Sequence, residues 1–218
     1  MCPAMIDIYD PPHEPIRVLH EDHQILVVEK PAGLLSVPGK GEHLTDCLIG
    51  RLARSHPQVL LVHRLDRDTS GVMIFALTAH AQKFLGQEFE ARRAKKVYVA
   101  RLFGRMTDRE GTVDAPIKVD WENRPRQHIH PEGRPAQTDW RVVKLLENET
   151  RVRLYPRTGR SHQLRVHMAS LGHAILGDPF YAEGAARDFP RLMLHSESLR
   201  VRHPETQIGT TFSAKAPF

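Results

Sequence analysis

Apolar positions along the chain change period several times, and each change predicts an element. Residues 24–29, Gln-Ile-Leu-Val-Val-Glu, and residues 72–77, Val-Met-Ile-Phe-Ala-Leu, are short apolar runs that predict strands, the second of them buried. Leu48, Ile49, Leu52 and Ala53 fall at helical spacing, which predicts a helix over 45–55 with Thr45 as its N-cap. A second helix is expected over 79–92. From Lys96 onward the pattern turns to β, with strands expected at 97–103, 112–119, 138–146 and 150–155. Leu164, Met168 and Leu171 stand at i, i+4 and i+7, predicting a helix over 161–171 capped by Ser161 and ended by Gly172. Closing strands are expected at 192–201 and 210–213.

Consecutive strands with short connections favour antiparallel pairing over repeated βαβ crossovers, so the expected class is α+β: a mixed, mostly antiparallel central sheet with flanking helices. Residues 1–15 are Pro-rich and turn-like and read as an N-terminal arm. Residues 16–218 read as one domain, with no internal repeat or flexible linker.

Composition is ordinary for a folded chain of 218 residues, with 40% hydrophobic and 26% charged residues. No apolar run approaches the roughly 18 residues that a membrane helix needs. The first residues lack a basic segment followed by an apolar one, so neither export nor membrane insertion is expected. Cys2 and Cys47 lie too far apart to suggest a disulfide framework, and a cytoplasmic setting fits. The net charge of +5 is concentrated. Six basic residues and no acid lie between Ala91 and Arg105, and five arginines and no acid between Arg151 and Ser170. Such patches attract a phosphate backbone, although a solvated basic face has the same composition.

The densest chemistry lies just before the buried strand, in His63-Arg64-Leu65-Asp66-Arg67-Asp68-Thr69-Ser70-Gly71. Two carboxylates and two guanidinium groups crowd a turn held by a rigid element, and Gly71 permits positive φ where the chain must bend. A carboxylate flanked by Arg64 and Arg67 is expected to stay ionised, which suits a nucleophile or base better than an acid. Turn chemistry alone also recruits aspartate, so an isolated Asp here would carry little meaning.

The whole segment resembles the signature of the RluA family of pseudouridine synthases, His-Arg-Leu-Asp followed by Thr-Ser-Gly, in which the first aspartate is catalytic; here that is Asp66. Lys30-Pro31-Ala32-Gly33 is similar to the family's first motif. Lys96-Val97-Tyr98 is similar to its Lys-x-Tyr motif, and Thr158-Gly159-Arg160-Ser161-His162-Gln163-Leu164-Arg165 to its third. The resemblance implies the pseudouridine synthase fold with a central cleft, and Asp66, Tyr98 and Arg165 as the catalytic set. Arg165 would pair with Asp66 and keep it charged and oriented. Period 2 puts Lys96 and Tyr98 on one strand face, an aromatic for a stacked base beside a cation for its phosphate. Arg64 would enter the space left by a flipped base, or else simply pair with Asp66. Arg92, Arg93, Arg160, His162 and Gln163 complete the expected RNA-binding set.

Isomerising uridine involves no net redox change, so neither a metal nor an organic cofactor is expected. His162, His167 and His173 do not have zinc-helix spacing. Because the motifs begin within the first thirty residues, the chain resembles the short, single-domain type of the family, without an S4-like module. That type modifies a tRNA anticodon stem-loop and a 23S rRNA hairpin, so the expected partner is RNA of both kinds, with no membrane or metal, bound by a monomer. Two other classes share some of these features. A non-catalytic RNA-binding protein would keep the basic faces, and a metal-dependent phosphodiesterase would use Asp66 and Asp68 as ligands.

Overall fold

The computed structural model describes residues 9–218. In chain order the elements are β1 (Arg17–Glu21), β2 (Ile25–Lys30), α1 (Leu48–Leu52), β3 (Leu60–Leu61), β4 (Ser70–Ala76), α2 (Ala79–Glu90) and β5 (Lys95–Phe103). They continue with β6 (Glu110–Asp114), β7 (Ile117–Val119), β8 (Gln127–Ile129), β9 (Gln137–Leu145), β10 (Glu149–Pro156), α3 (Gln163–Ser170), β11 (Leu194–Arg202) and β12 (Gly209–Ser213). Ten strands form one sheet in the order β1-β2-β4-β11-β5-β10-β9-β6, with β12 added to β11 and β3 to β4. Every pair in it is antiparallel except β4 with β11, where Ser70 faces His195 and Gly71 faces Ser196.

Strands β2 and β4 read as unbroken apolar runs because the sheet is covered on both faces there. Leu26, Val28, Met73 and Phe75 enter the larger core with Leu48 and Leu52 of α1 and Leu164 and Met168 of α3. Ile25, Val27, Val72 and Ile74 point the other way, onto Ala81 and Leu85 of α2. Each of these side chains is fully buried or nearly so, and all but Ala81 contribute about 1.5–3 kcal/mol apiece. Gly71 stands at φ +112° in the one parallel pairing, and a Cβ there would run into the Ser196 backbone. No other residue fits this point of the signature.

Three local expectations are corrected. Helix α1 is short and begins after Cys47, while Thr45 spends its hydroxyl on Glu42 O in the preceding turn. Helix α3 begins at Gln163, and Ser161 does not cap it. Instead His162 takes a left-handed conformation (φ 54°) and the Gln163 side chain turns back to accept the Arg160 N–H at 3.0 Å. The strand expected over 112–119 breaks at Ala115-Pro116, so β6 stays on the main sheet and β7 pairs with β8 in a separate hairpin. Gly172 does end α3, at φ +81°. Strand β1 is too polar to announce itself and is recruited by pairing with β2.

Of the expected arm, residues 1–8 lie outside the described residues, as does Cys2. The described part is tied to the body: the Tyr9 hydroxyl donates to Asp46 O and accepts from Leu35 N, and Arg51 donates to Pro12 O. Among the described residues, no helix is long and apolar enough to cross a membrane.

Candidate active site

The loop between β3 and β4 carries the acidic signature, and buried contacts on both sides of Asp66 hold it. Ser36 Oγ donates to Leu65 O at 2.7 Å and accepts the Leu65 N–H, while Lys30 Nζ donates to Arg67 O at 2.7 Å. Lys30 also donates to Pro31 O and Leu34 O, so all three ammonium protons are used inside a fully buried site. Burial pulls its pKa down to about 7, against the opposing pull of Asp68 and Asp66. The Lys-Pro-x-Gly stretch is thus a brace for the residues that flank Asp66.

Asp66 faces a cleft of about 530 Å3, within the usual range for a ligand site. Its Oδ2 lies 3.5 Å from Arg165 Nη1 and 4.0 Å from His162 Nε2. The Arg165 contact is at the outer limit of a hydrogen bond. The primary partner of that guanidinium is another carboxylate, Asp178, which accepts from Nε and Nη2 at 2.7 Å each. Arg165 and Asp178 are both buried. Burial pulls the Arg165 pKa down, but hydrogen bonding to Asp178 and the charges of Asp178 and Asp66 outweigh it and raise it. A bidentate pair therefore fixes the guanidinium and leaves Nη1 aimed at Asp66. Asp178 also accepts from the Phe180 and Tyr181 N–H groups, which sets both rings 5.2 Å from the guanidinium carbon.

The flanking arginines expected to keep a carboxylate here ionised are not the partners of Asp66. Arg67 donates to Asp68 through Nε and Nη2, at 3.0 and 3.3 Å. Among the described residues the exposed Arg64 makes no hydrogen bond or ion pair. Asp68 is committed to Arg67 and stands near Lys30, which leaves Asp66 as the acid that faces both the cleft and Arg165.

Tyr98 and Lys96 line the cleft from one face of β5, as period 2 requires. Burial, then the charge of Asp66, raises the Tyr98 pKa, so the phenol stays neutral. Burial pulls Lys96 down to about 8. His63 stacks on Phe89 with ring centroids 4.6 Å apart and accepts the Ile74 N–H through Nε2. Burial and Lys96 push its pKa down to about 3, so it is a neutral wall.

Of the other expected RNA contacts, Arg64, Arg92, Arg160, His162 and Gln163 all line the cleft and Arg93 does not. Arg93 donates to Glu88 at 2.6 Å, beside Arg202, and their hydrogen bonds hold Glu88 near a pKa of about 2. Gln163 has no amide group to spare: Oε1 accepts from Thr158 Oγ1 and Arg160 N, and Nε2 donates to Gln137 O and Thr138 Oγ1. His162 shares a 2.7 Å hydrogen bond with the Tyr181 hydroxyl and has its pKa lowered by burial. It separates from the other histidines, since His167 bonds Thr138 and Ala115 and His173 bonds Phe103. Arg92, just past the end of α2, holds φ 58°, a strained conformation for a side chain this large.

A model of RNA pseudouridylate synthases matches residues 24–170. The chain belongs to the RNA pseudouridylate synthase family. It is 51% identical over 214 residues to the dual-specificity RNA pseudouridine synthase RluA of Escherichia coli O6:H1, covering 96% of this chain and 98% of that one. It is 45% identical over 204 residues to the protein of that description from Yersinia pestis, covering 92% and 99%. Among solved structures, human RNA pseudouridylate synthase domain containing 1 superposes with a TM-score of 0.80 at 30% identity, over 94% of this chain and 85% of that one. Human RNA pseudouridylate synthase domain containing 4 shares the fold at 24% identity, with a TM-score of 0.73 over 92% and 88%.

The pseudouridine synthase assignment makes the chain an isomerase and sets aside the two alternative classes, a non-catalytic RNA binder and a metal-dependent phosphodiesterase. Sequence reasoning missed Asp178 and Tyr181 of this synthase. Gly177-Asp178-Pro179 reads as a plain turn. The available signal was indirect: five arginines in 151–170 with no local acid require carboxylates from elsewhere if any of them is buried.

Proposed function

We propose that this synthase isomerises uridine in RNA stem-loops, of the tRNA anticodon arm and of 23S rRNA, with Asp66 acting on a flipped-out nucleotide. The observation that carries the reading is Asp66 itself: a partly exposed carboxylate on a braced loop, set 3.5 Å from a guanidinium locked by Asp178. Because Asp178 holds the guanidinium, Asp66 has a fixed positive charge beside it without being clamped. It can move toward the ribose. The relatives' description as dual-specificity RNA pseudouridine synthases supports more than one RNA substrate.

In the proposed course, Arg92, Lys96 and Arg160 receive phosphates and the target uridine leaves its stack. Arg64, without a protein partner among the described residues, fills the vacancy, offsetting an unstacking cost of a few kcal/mol. Asp66 then adds to C1′ or removes a ribose proton to form a glycal, and the N1–C1′ bond breaks. Uracil turns against the neutral Tyr98 ring and rejoins through C5; forming the C5–C1′ bond displaces the Asp66 carboxylate from C1′ or is accompanied by return of the ribose proton from Asp66, and N1 gains a proton as C5 loses one. No electrons are exchanged with an outside group. One chain supplies Asp66, Arg165, Tyr98 and the cations, which supports a monomeric catalyst.

Asp66→Asn tests the reading, because it conserves shape and removes the charge. Pseudouridine formation in an anticodon stem-loop and in a 23S hairpin is expected to fall by about a thousandfold or more in the presence of EDTA, while Asp68→Asn stays within about tenfold of wild type. Product formed by Asp66→Asn at a comparable rate sinks the catalytic role. Product in one RNA class alone removes the dual substrate.

A further inference from the structure

The chain has two tryptophans in opposite situations. Trp140 is buried, whereas Trp121, at the tip of the β7–β8 hairpin, is 66% exposed. We propose that this tip is a second RNA subsite, where the Trp121 indole stacks a single-stranded nucleobase close to the flipped uridine. The inference rests on the stem-loop reading above and adds a contact outside the cleft.

The tip is built rather than loose. Asp120 accepts the Asn123 N–H and side-chain amide, Asp120 N donates to Arg126 O, and Arg126 N donates to Asn123 O. Arg124 donates Nε to Trp121 O at 3.1 Å and lays its guanidinium 4.5 Å from the indole centroid. The indole is therefore supported by a planar cation while most of the residue stays in water. An aromatic held ready in this way loses little freedom on stacking.

Its position favours RNA. The Gln127 N–H, at the start of β8, donates to the Tyr181 hydroxyl at 2.8 Å, which is 2.7 Å from His162 Nδ1, and His162 Nε2 is 4.0 Å from Asp66. The hairpin is thus joined to the cleft through one tyrosine. Arg126 stands 5.7 Å from the centre of that tyrosine ring, and Arg134, bridged to Ile117 at the hairpin's far end, is close enough to Arg160 to add to the lowering of its pKa that burial begins. A strand leaving the cleft past Arg160 would meet Arg134 and Arg126 before reaching the indole. Stacking on an aromatic beside arginines accepts any base. A protein partner fits poorly, because the sequence neighbours of Trp121 are Asp120, Glu122, Asn123 and Arg124 and supply no apolar patch.

The test titrates the full-length chain with a stem-loop RNA, following tryptophan emission, affinity and steady-state kinetics. Stacking predicts that RNA quenches wild-type emission and that Trp121→Ala weakens binding and raises KM about 5- to 100-fold, with kcat at saturating RNA within about twofold. Trp121→Phe keeps a ring and is expected to recover most of the affinity while losing the quench. Unchanged affinity and KM in Trp121→Ala overturn the proposal and leave the surface to a partner other than RNA. So does a fall in kcat with affinity intact, which would mark a structural role. If wild type binds the RNA through Trp121 but forms no pseudouridine in it, the stem-loop reading fails and the stacking subsite stands.

Discussion

The inner wall of the cleft and its outer rim both carry cations, in opposite states. On the wall, Arg165 is held by two 2.7 Å bonds to Asp178, and Lys30 behind the loop gives all three protons to carbonyls. On the rim, Arg64 and Arg92 make no side-chain hydrogen bond or ion pair among the described residues. The difference follows from solvent. A buried charge must be satisfied inside the protein or it costs several kcal/mol, while an exposed guanidinium can wait in water for a phosphate. Wall cations therefore set geometry, and rim cations stay free of partners among the described residues. Arg93 belongs to neither group, since Glu88 occupies it.

Removing wall charges should break this contrast most severely. Asp178→Asn keeps shape and still accepts backbone N–H groups, but it loses the charge that locks Arg165. Chemistry in single-turnover assays is expected to slow about 100-fold, as for a misplacement near 1 Å, with stability lowered by about 3 kcal/mol in chemical denaturation. A folded variant with wild-type kcat would show that Asp178 does not position Arg165. Lys30→Met should follow, losing about 2–4 kcal/mol because three buried carbonyls lose their donor, partly offset by relief from burying the amine. Its pH dependence has a definite sign. The folded pKa near 7 lies below the unfolded value of 10.5, so the unfolded chain binds more protons between them. Wild-type stability should accordingly carry a component that rises with pH from about 7 towards 10.5. That component should be missing in the variant.

Rim substitutions should act on RNA instead. Arg64→Lys keeps charge and loses the planar fork, so the expectation is about tenfold slower modification with nearly unchanged salt dependence. Equal rates for lysine and arginine would reduce Arg64 to a plain cation. Arg92→Gln is the mildest: affinity about threefold weaker, with the slope of log affinity against log salt reduced by about 1. A changed slope in Asp178→Asn instead would blur the division between wall and rim.

Much of the cleft was legible beforehand because its residues come in short local motifs. Asp66, Lys96, Tyr98, Arg160 and Arg165 were singled out in sequence and all reach one cleft. What was not legible needed partners from distant parts of the chain. Gln163 looked like an RNA contact until Gln137, Thr138 and Thr158 consumed its amide. Thr45 and Ser161 had the right chemistry for caps, but a neighbouring turn took one and the Gln163 side chain made the other unnecessary.

By itself, the sequence determined the strands β2 and β4, the α+β class, the reactive signature and the surplus of positive charge, since each depends on residues a few positions apart. Only the tertiary structure decided which cations are free. Desolvation makes every buried charge seek a partner, and partners such as Asp178 for Arg165 or Glu88 for Arg93 are found by packing rather than by order along the chain.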